Sequence, residues 1–425
     1  MVKINPFKPN SPVPPGMFIG RIDEVMRLEA QLFQTKAGQP TNFLLTGERG
    51  IGKSSLLLYL TALAEGRIGI ESEKLNFLVI DTFLDQKTTQ VGLVKKIEFN
   101  LSKNLAKTET ARKIFADTWD FLKRIEVAGV KIANGKNHDL DETDFEKFVY
   151  SFAETINRLC ESNSEENIFN ANYDGVLLLI DEADNCSPEL DLGTFLKLFL
   201  EKLQRRNCNR FMVGIAGLPN IKQILLNSHP SSLRLFEDII VDQLTGKEVE
   251  RVIDKCLNEA EKLNGIKTEI TPTAKRVLVN LAEGYPHFIQ QFGFCAFSRD
   301  QDNILDENDC LDGALKPRGA LDLIGERYYR DNFYNKIQKE NYRQVLRIMA
   351  ENPNEWVTKA YIKGKYKGKE SVLNSAIKAL RDRHIILPRE GQKGVYRLQH
   401  RGFALWIKLR ASSQAEIKEE VDNAS

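Results

Sequence analysis

Gly47-Glu48-Arg49-Gly50-Ile51-Gly52-Lys53-Ser54 brings backbone freedom, a cation and a hydroxyl together within eight residues. The spacing is G-x-x-x-x-G-K-S, which suits the cradling of a polyphosphate. Its glycines let the loop turn its N–H groups inward, and a helix starting behind it adds partial positive charge. Lys53 would reach the β- and γ-phosphates, and the Ser54 hydroxyl would ligate Mg²⁺. The nucleotide-contacting segment is therefore expected to run from Gly47 to Ser55. A second group with chemistry to offer is Asp181-Glu182-Ala183-Asp184, which follows the apolar run Gly175–Ile180. Asp181 would hold Mg²⁺, directly or through water, and Glu182 would polarise a water attacking the γ-phosphate. Acids also end buried strands simply as turn residues. Paired with the phosphate loop, this Asp-Glu reads as a Walker B pattern and points to ATP hydrolysis as well as ATP binding.

Such groups must be held at the edge of a sheet. Phe43-Leu44-Leu45 leads into the loop, and Ser55–Leu60 leaves it as a helix. Phe77–Asp81, Gly175–Ile180, Phe211–Ala216 and Ile239–Val241 are further continuous apolar runs separated by helical stretches. That alternation predicts an α/β core with a parallel sheet covered on both faces. Residues 1–16, rich in Pro and Asn, read as an extended N-terminal lead-in, and the ATPase core spans 17–244. A helical insertion occupies about 90–160, with a small hairpin at Ile125–Ala133. Thr245-Gly246-Lys247-Glu248 is a capping-box pattern, and Thr271-Pro272 opens another helix. Residues 245–334 are thus expected to form a helical lid and connector. In 335–411 three helices precede a hairpin, Ile385–Leu387 with Val395–Leu398, which is the order of a winged helix. The polar tail is 412–425.

Composition is that of a globular chain, with 42% hydrophobic and 28% charged residues. The absence of a long apolar segment, and six dispersed cysteines without a C-x-x-C pair, lead to the expectation of a cytoplasmic protein away from the membrane. Net charge is only +1, yet residues 335–410 hold 18 Lys/Arg against 6 Asp/Glu. A solvated basic surface would explain this, as would attraction to a polyanion. On the third helix of this module Ser371, Asn374, Ser375 and Lys378 would face outward, opposite Leu373, Ile377 and Leu380. Lys363, Lys365, Lys367 and Lys369 precede it, and Arg389 and Lys393 lie in the wing. All ten are candidates for contact with double-stranded DNA.

The loop and the Asp-Glu pair resemble those of the AAA+ ATPases, and more closely the branch holding origin-recognition initiators and the signal-transducing STAND ATPases. The resemblance extends over most of residues 14–410. It implies that Ile19-Gly20-Arg21, with Glu24 after it, is the hydrophobic-Gly-Arg motif that closes over adenine. It places Asn220, after the strand ending at Ala216, at sensor 1; a turn-forming Asn is the plainer reading. It makes Arg234, in Ser231–Phe236, an arginine finger for a neighbouring copy in a homo-oligomer, against a surface salt bridge as the alternative. Gly284-Tyr285-Pro286 stands where many such lids carry a sensor 2 arginine. Pro286 would pack near the base, or the tripeptide is only a helix-ending turn. The branch offers two uses for the winged helix. One is DNA binding, as in replication or transposition. The other is a regulatory role with a separately encoded protein partner, in which His400 would help hold a closed ADP state.

Overall fold

Continuous apolar runs become β1 (Asn42–Gly47), β2 (Phe77–Phe83), β3 (Gly175–Asp181), β4 (Phe211–Gly217) and β5 (Phe236–Val241). In the computed structural model, which describes residues 3–69, 73–105, 109–122, 140–160, 172–337, 339–352, 356–383, 385–389 and 391–411, these strands pair in parallel in the order β2-β3-β4-β1-β5. The hairpin expected at Ile125–Ala133 and the tail from Ser412 lie outside the described residues. β3 and β4 are buried almost throughout, which is why they read as unbroken apolar runs rather than alternating ones. Register sets Thr46 of β1 beside Gly217 of β4, and Asp181 of β3 beside Phe83 of β2. The carboxyl ends of the strands therefore share one edge, where open parallel sheets bind ligands.

Helices α1 (Ile22–Lys36) and α2 (Lys53–Ala64) flank the first strand in sequence. The insertion folds as α3 (Gln90–Leu105), α4 (Glu109–Thr118) and α5 (Glu142–Cys160). α6 (Leu192–Arg205) and α7 (Ile221–Ser228) follow. Trp119, Phe145, Phe148, Phe152, Phe195, Phe199 and Phe211 join the sheet's core cluster, with Phe148 and Phe199 stacked at 4.9 Å. Each such ring contributes about 1.5–3 kcal/mol by leaving water, so the insertion is part of the core rather than an appendage.

The chain divides into two compact units, Pro12–Asp242 and a second made of Met1–Ser11 with Gln243–Ser425. The second unit opens with α8 (Gly246–Asn264), whose N-terminus carries the capping box of Thr245 and Glu248. α9 (Pro272–Ala282), α10 (Pro286–Phe297) and α11 (Glu307–Leu315) complete the lid, with a two-stranded pairing of β6 (Glu269–Ile270) and β7 (Ile304–Leu305). α12 (Ala320–Ile324) continues as π-helical turns to Lys336. Then come α13 (Glu340–Ala350), β8 (Val357–Thr358), α14 (Lys359–Lys365) and α15 (Glu370–Asp382). β9 (Ile386–Pro388), β10 (Val395–Leu398) and α16 (Arg401–Trp406) close a winged-helix arrangement. Its sheet has the order β8-β10-β9, so a two-residue strand too short to register in the sequence adds a third member.

Residues 3–14 have no regular structure ahead of the 3₁₀ turn Pro15–Met17, yet their first part is docked as a strap. The Phe7 ring is buried over Gly293 of α10, where a Cβ would come within 2.3 Å of it. The Gln290 side chain accepts the Lys8 N–H at 2.7 Å, and the Asn264 side chain makes reciprocal bonds with the Ile4 backbone. Deleting the Phe7 ring leaves a cavity in the lid. Phe7→Ala should cost about 3–5 kcal/mol of that unit's stability, read by denaturant unfolding.

Within the same unit the lid and the winged helix are joined. Glu283, in left-handed backbone (φ 49°), is the residue on which α9 ends, and its carboxylate accepts the Gly402 N–H of α16 at 2.9 Å. Burial lifts that carboxyl above its ordinary range, against the pull of the Arg401 and Gly402 N–H donors and the Arg401 and Arg397 charges. His400 is buried beside it, edge-on to Tyr285 at 4.7 Å.

Candidate nucleotide site and nucleic-acid interface

β1 delivers the phosphate loop and α2 departs from it. Gly50 (φ 78°) and Gly52 (φ 102°) take backbone conformations that a side chain would strain, and Gly52 is the N-cap of α2. Ile51 is buried and anchors the loop, while Glu48 is half-buried and Arg49 exposed. Lys53 folds back over the loop, donating to the Gly47 carbonyl at 2.8 Å and the Glu48 carbonyl at 3.0 Å. Burial pushes its ammonium below the ordinary lysine value; Asp181, Asp184, Glu48 and Glu182 oppose that fall.

The two motifs meet directly. Ser54 Oγ donates to Asp181 Oδ2 at 2.9 Å, across 127 residues of chain. Asp181 Oδ1 accepts the Glu182 N–H at 2.8 Å, which fixes the carboxylate plane. A hydroxyl and a carboxylate suit Mg²⁺, a hard cation that keeps several waters and takes its other ligands from phosphates. Among the described residues no cluster of three or more His, Cys, Asp or Glu could hold a metal unaided. Glu182 takes left-handed backbone (φ 52°) at the strand end and stays exposed, its carboxylate touched by the Asn185 amide at 3.4 Å. Asn220 is the N-cap residue of α7, but its side chain makes no capping bond and is exposed.

The remaining candidates differ in their surroundings. Arg21, buried and left-handed (φ 62°), donates to the Ile51 carbonyl of the loop at 2.9 Å and pairs with Glu24 at 3.4 Å. Ile19 and Gly20 precede it half-buried. Ser55 accepts the Val13 N–H at 3.2 Å, so its hydroxyl serves the incoming chain. Phe18 stacks on Tyr59 one turn further along, at 5.0 Å. Arg234 lies in the 3₁₀ turn Ser232–Leu235, exposed and without an ion pair or side-chain hydrogen bond among the described residues. Pro286 belongs to the other unit, where it opens α10.

Two acids were not singled out from the sequence. Asp81, on β2, feels burial first and the Asp181 charge second, and both raise its carboxyl above the ordinary value. The only sequence signal was an acid at the end of an apolar run. Asp184 accepts the Leu218 N–H at 2.8 Å and so joins the ends of β3 and β4.

Residues 17–213 match the family model described as the AAA ATPase domain. This stretch is an AAA ATPase domain. No curated protein matches the sequence. Among solved structures, the ORC2 protein of Aeropyrum pernix in its ADPNP-ADP complexes is similar at 12% identity, over 96% of this chain and 98% of that one, with a TM-score of 0.54. Cdc6p of Pyrobaculum aerophilum is similar at 13% identity over 98% of each chain, with a TM-score of 0.43. The first likeness shows a shared fold over nearly the whole length. No described helix is long and apolar enough to cross a membrane.

Beyond the AAA ATPase domain, the ten basic and polar candidates of the winged helix are all exposed. They are not equally available. Lys363 is paired with Glu370 at 2.7 Å, Lys365 with Glu351, and Ser375 donates to the Ser371 carbonyl at 3.0 Å. Lys367, Lys369, Lys378 and Lys393 have no ion pair among the described residues. Arg389 and Arg397 both lie over the Trp356 ring, at 5.6 and 5.0 Å.

Proposed function

We propose that the protein is an ATP-binding and ATP-hydrolysing switch whose basic winged helix binds double-stranded DNA. The observation that carries the ATPase reading is the 2.9 Å bond between Ser54 and Asp181, which brings the phosphate loop and the acidic strand end into one site. Lys53 would exchange its loop carbonyls for phosphate oxygens, and Arg21 would keep the loop in shape through Ile51. Ser54 and Asp181 would hold Mg²⁺, which when bound neutralises phosphate charge. Glu182 would orient and deprotonate the attacking water, with Asn220 beside it. Arg234, exposed, would serve the site of a neighbouring copy in a homo-oligomer.

Because lid and winged helix belong to one unit, a nucleotide-driven change in the lid would carry the DNA-binding face with it. The same docking supports a second reading, a regulatory winged helix with a protein partner, in which Glu283 and His400 hold the module in place. Glu182→Gln keeps the shape of the side chain and removes its basicity. It should lower turnover by about 100- to 1,000-fold while ATP still binds, measured by phosphate release and fluorescent-nucleotide titration. Undiminished turnover would take the water chemistry away from Glu182.

A further inference from the structure

Of the acids crowding the end of β3, Asp184 has no part in the chemistry assigned to Asp181 and Glu182. It sits in the 3₁₀ turn Ala183–Asn185, which the left-handed Glu182 introduces. Its Oδ1 accepts the Leu218 N–H at 2.8 Å. Space is shaped for this contact: a Cβ on Gly217 would come within 2.9 Å of that oxygen and 3.3 Å of the Asp184 nitrogen. The bonded residue starts the turn Leu218-Pro219-Asn220. There the Leu218 carbonyl accepts the Ile221 N–H at 3.0 Å and α7 begins. The Asn220 amide has no capping bond, so its position is set by the backbone of this turn.

We infer that Asp184 is a positioning residue, tying the Asn220 turn to the strand end that carries Asp181 and Glu182. The inference rests on the ATPase reading above. Asp184 fixes the spacing between Glu182 and Asn220 on either side of the attacking water. A displacement of about 1 Å in such a constellation costs roughly 100-fold in rate without weakening substrate binding. The Asp184 charge also acts on Lys53, so a purely electrostatic role has to be separated from the tether.

Two variants of the full-length protein do this. Asp184→Asn keeps an oxygen acceptor for Leu218 and discards the charge; Asp184→Ala discards both. Asp184→Ala should lower kcat by roughly 100-fold, with KM and fluorescent-ATP affinity unchanged. Its Leu218 amide should exchange with deuterium roughly tenfold faster, as expected for the loss of one hydrogen bond. Asp184→Asn should stay close to the parent in both measurements. Equal damage from the two variants would overturn the tether in favour of charge. Parallel loss of Tm and nucleotide affinity in Asp184→Ala would reduce it to a folding contact. Should the parent protein hydrolyse nothing, the ATPase reading falls, and unchanged Leu218 exchange in Asp184→Ala would still overturn the tether by itself.

Discussion

Lys53→Ala should abolish ATP turnover and weaken nucleotide binding by roughly 30- to 150-fold, equivalent to about 2–3 kcal/mol for a lost charge-assisted contact. The fold should survive. Among the described residues Lys53 bonds only to the Gly47 and Glu48 carbonyls of its own loop, and the strand and helix on either side have their own buried side chains. Thermal unfolding unchanged within a few degrees, together with lost binding, would mark a ligand-directed role. Retained affinity would remove the phosphate loop from nucleotide recognition. Acidity adds a second check. Burial holds the free Lys53 below its ordinary value, and a bound polyphosphate would raise it again. Binding therefore takes up a proton in the window between the two values. Affinity should be complete below the free-state value and decline as pH climbs past it, a dependence that Lys53→Ala should erase.

The second large effect concerns the winged helix. Removing it whole is a poor experiment, because Tyr285 packs against His400 and Tyr329 against Phe403, and truncation would strip these lid rings bare. Replacing Lys367, Lys369, Lys378 and Lys393 by alanine instead touches exposed cations without ion pairs among the described residues. If these four neutralise phosphates, the slope of log K against log salt should shallow by about 3–4, and affinity at 0.1 M salt should fall roughly a thousandfold. The ion-paired Lys363 and Lys365 should matter less, since each must first give up a carboxylate. A slope that does not move would refute DNA binding by this face and favour the protein-partner reading.

What the sequence made legible was whatever depends on neighbours in the chain. Gly50, Gly52, Lys53 and Ser54 lie within one turn, and a buried strand such as β3 announces itself as an unbroken apolar run. The capping box of α8 closes over four residues and was readable for the same reason. The features that escaped depend on distant partners. Asp184 gains its place from Leu218, 34 residues on. Arg21 bonds to the Ile51 carbonyl of the phosphate loop, 30 residues on, which no local pattern announces. Phe7 stood alone among Pro and Asn, with nothing local to say that a glycine in α10 leaves room for its ring.

That last feature bears on how the chain is made. Residues 3–11 are synthesised well before their docking site in α10, which ends at Phe297. At roughly 5–20 residues per second the first segment waits on the order of a quarter of a minute to a minute. Pro12–Asp242 emerges in that interval with its own core and can fold meanwhile. The order of maturation is then inverted relative to the chain. Pro12–Asp242, translated after residues 3–11, can finish before them, and residues 3–11 are among the last to lose contact with solvent. Slow translation between residues 243 and 297 would prolong the exposure of Phe7 to chaperones and aggregation partners.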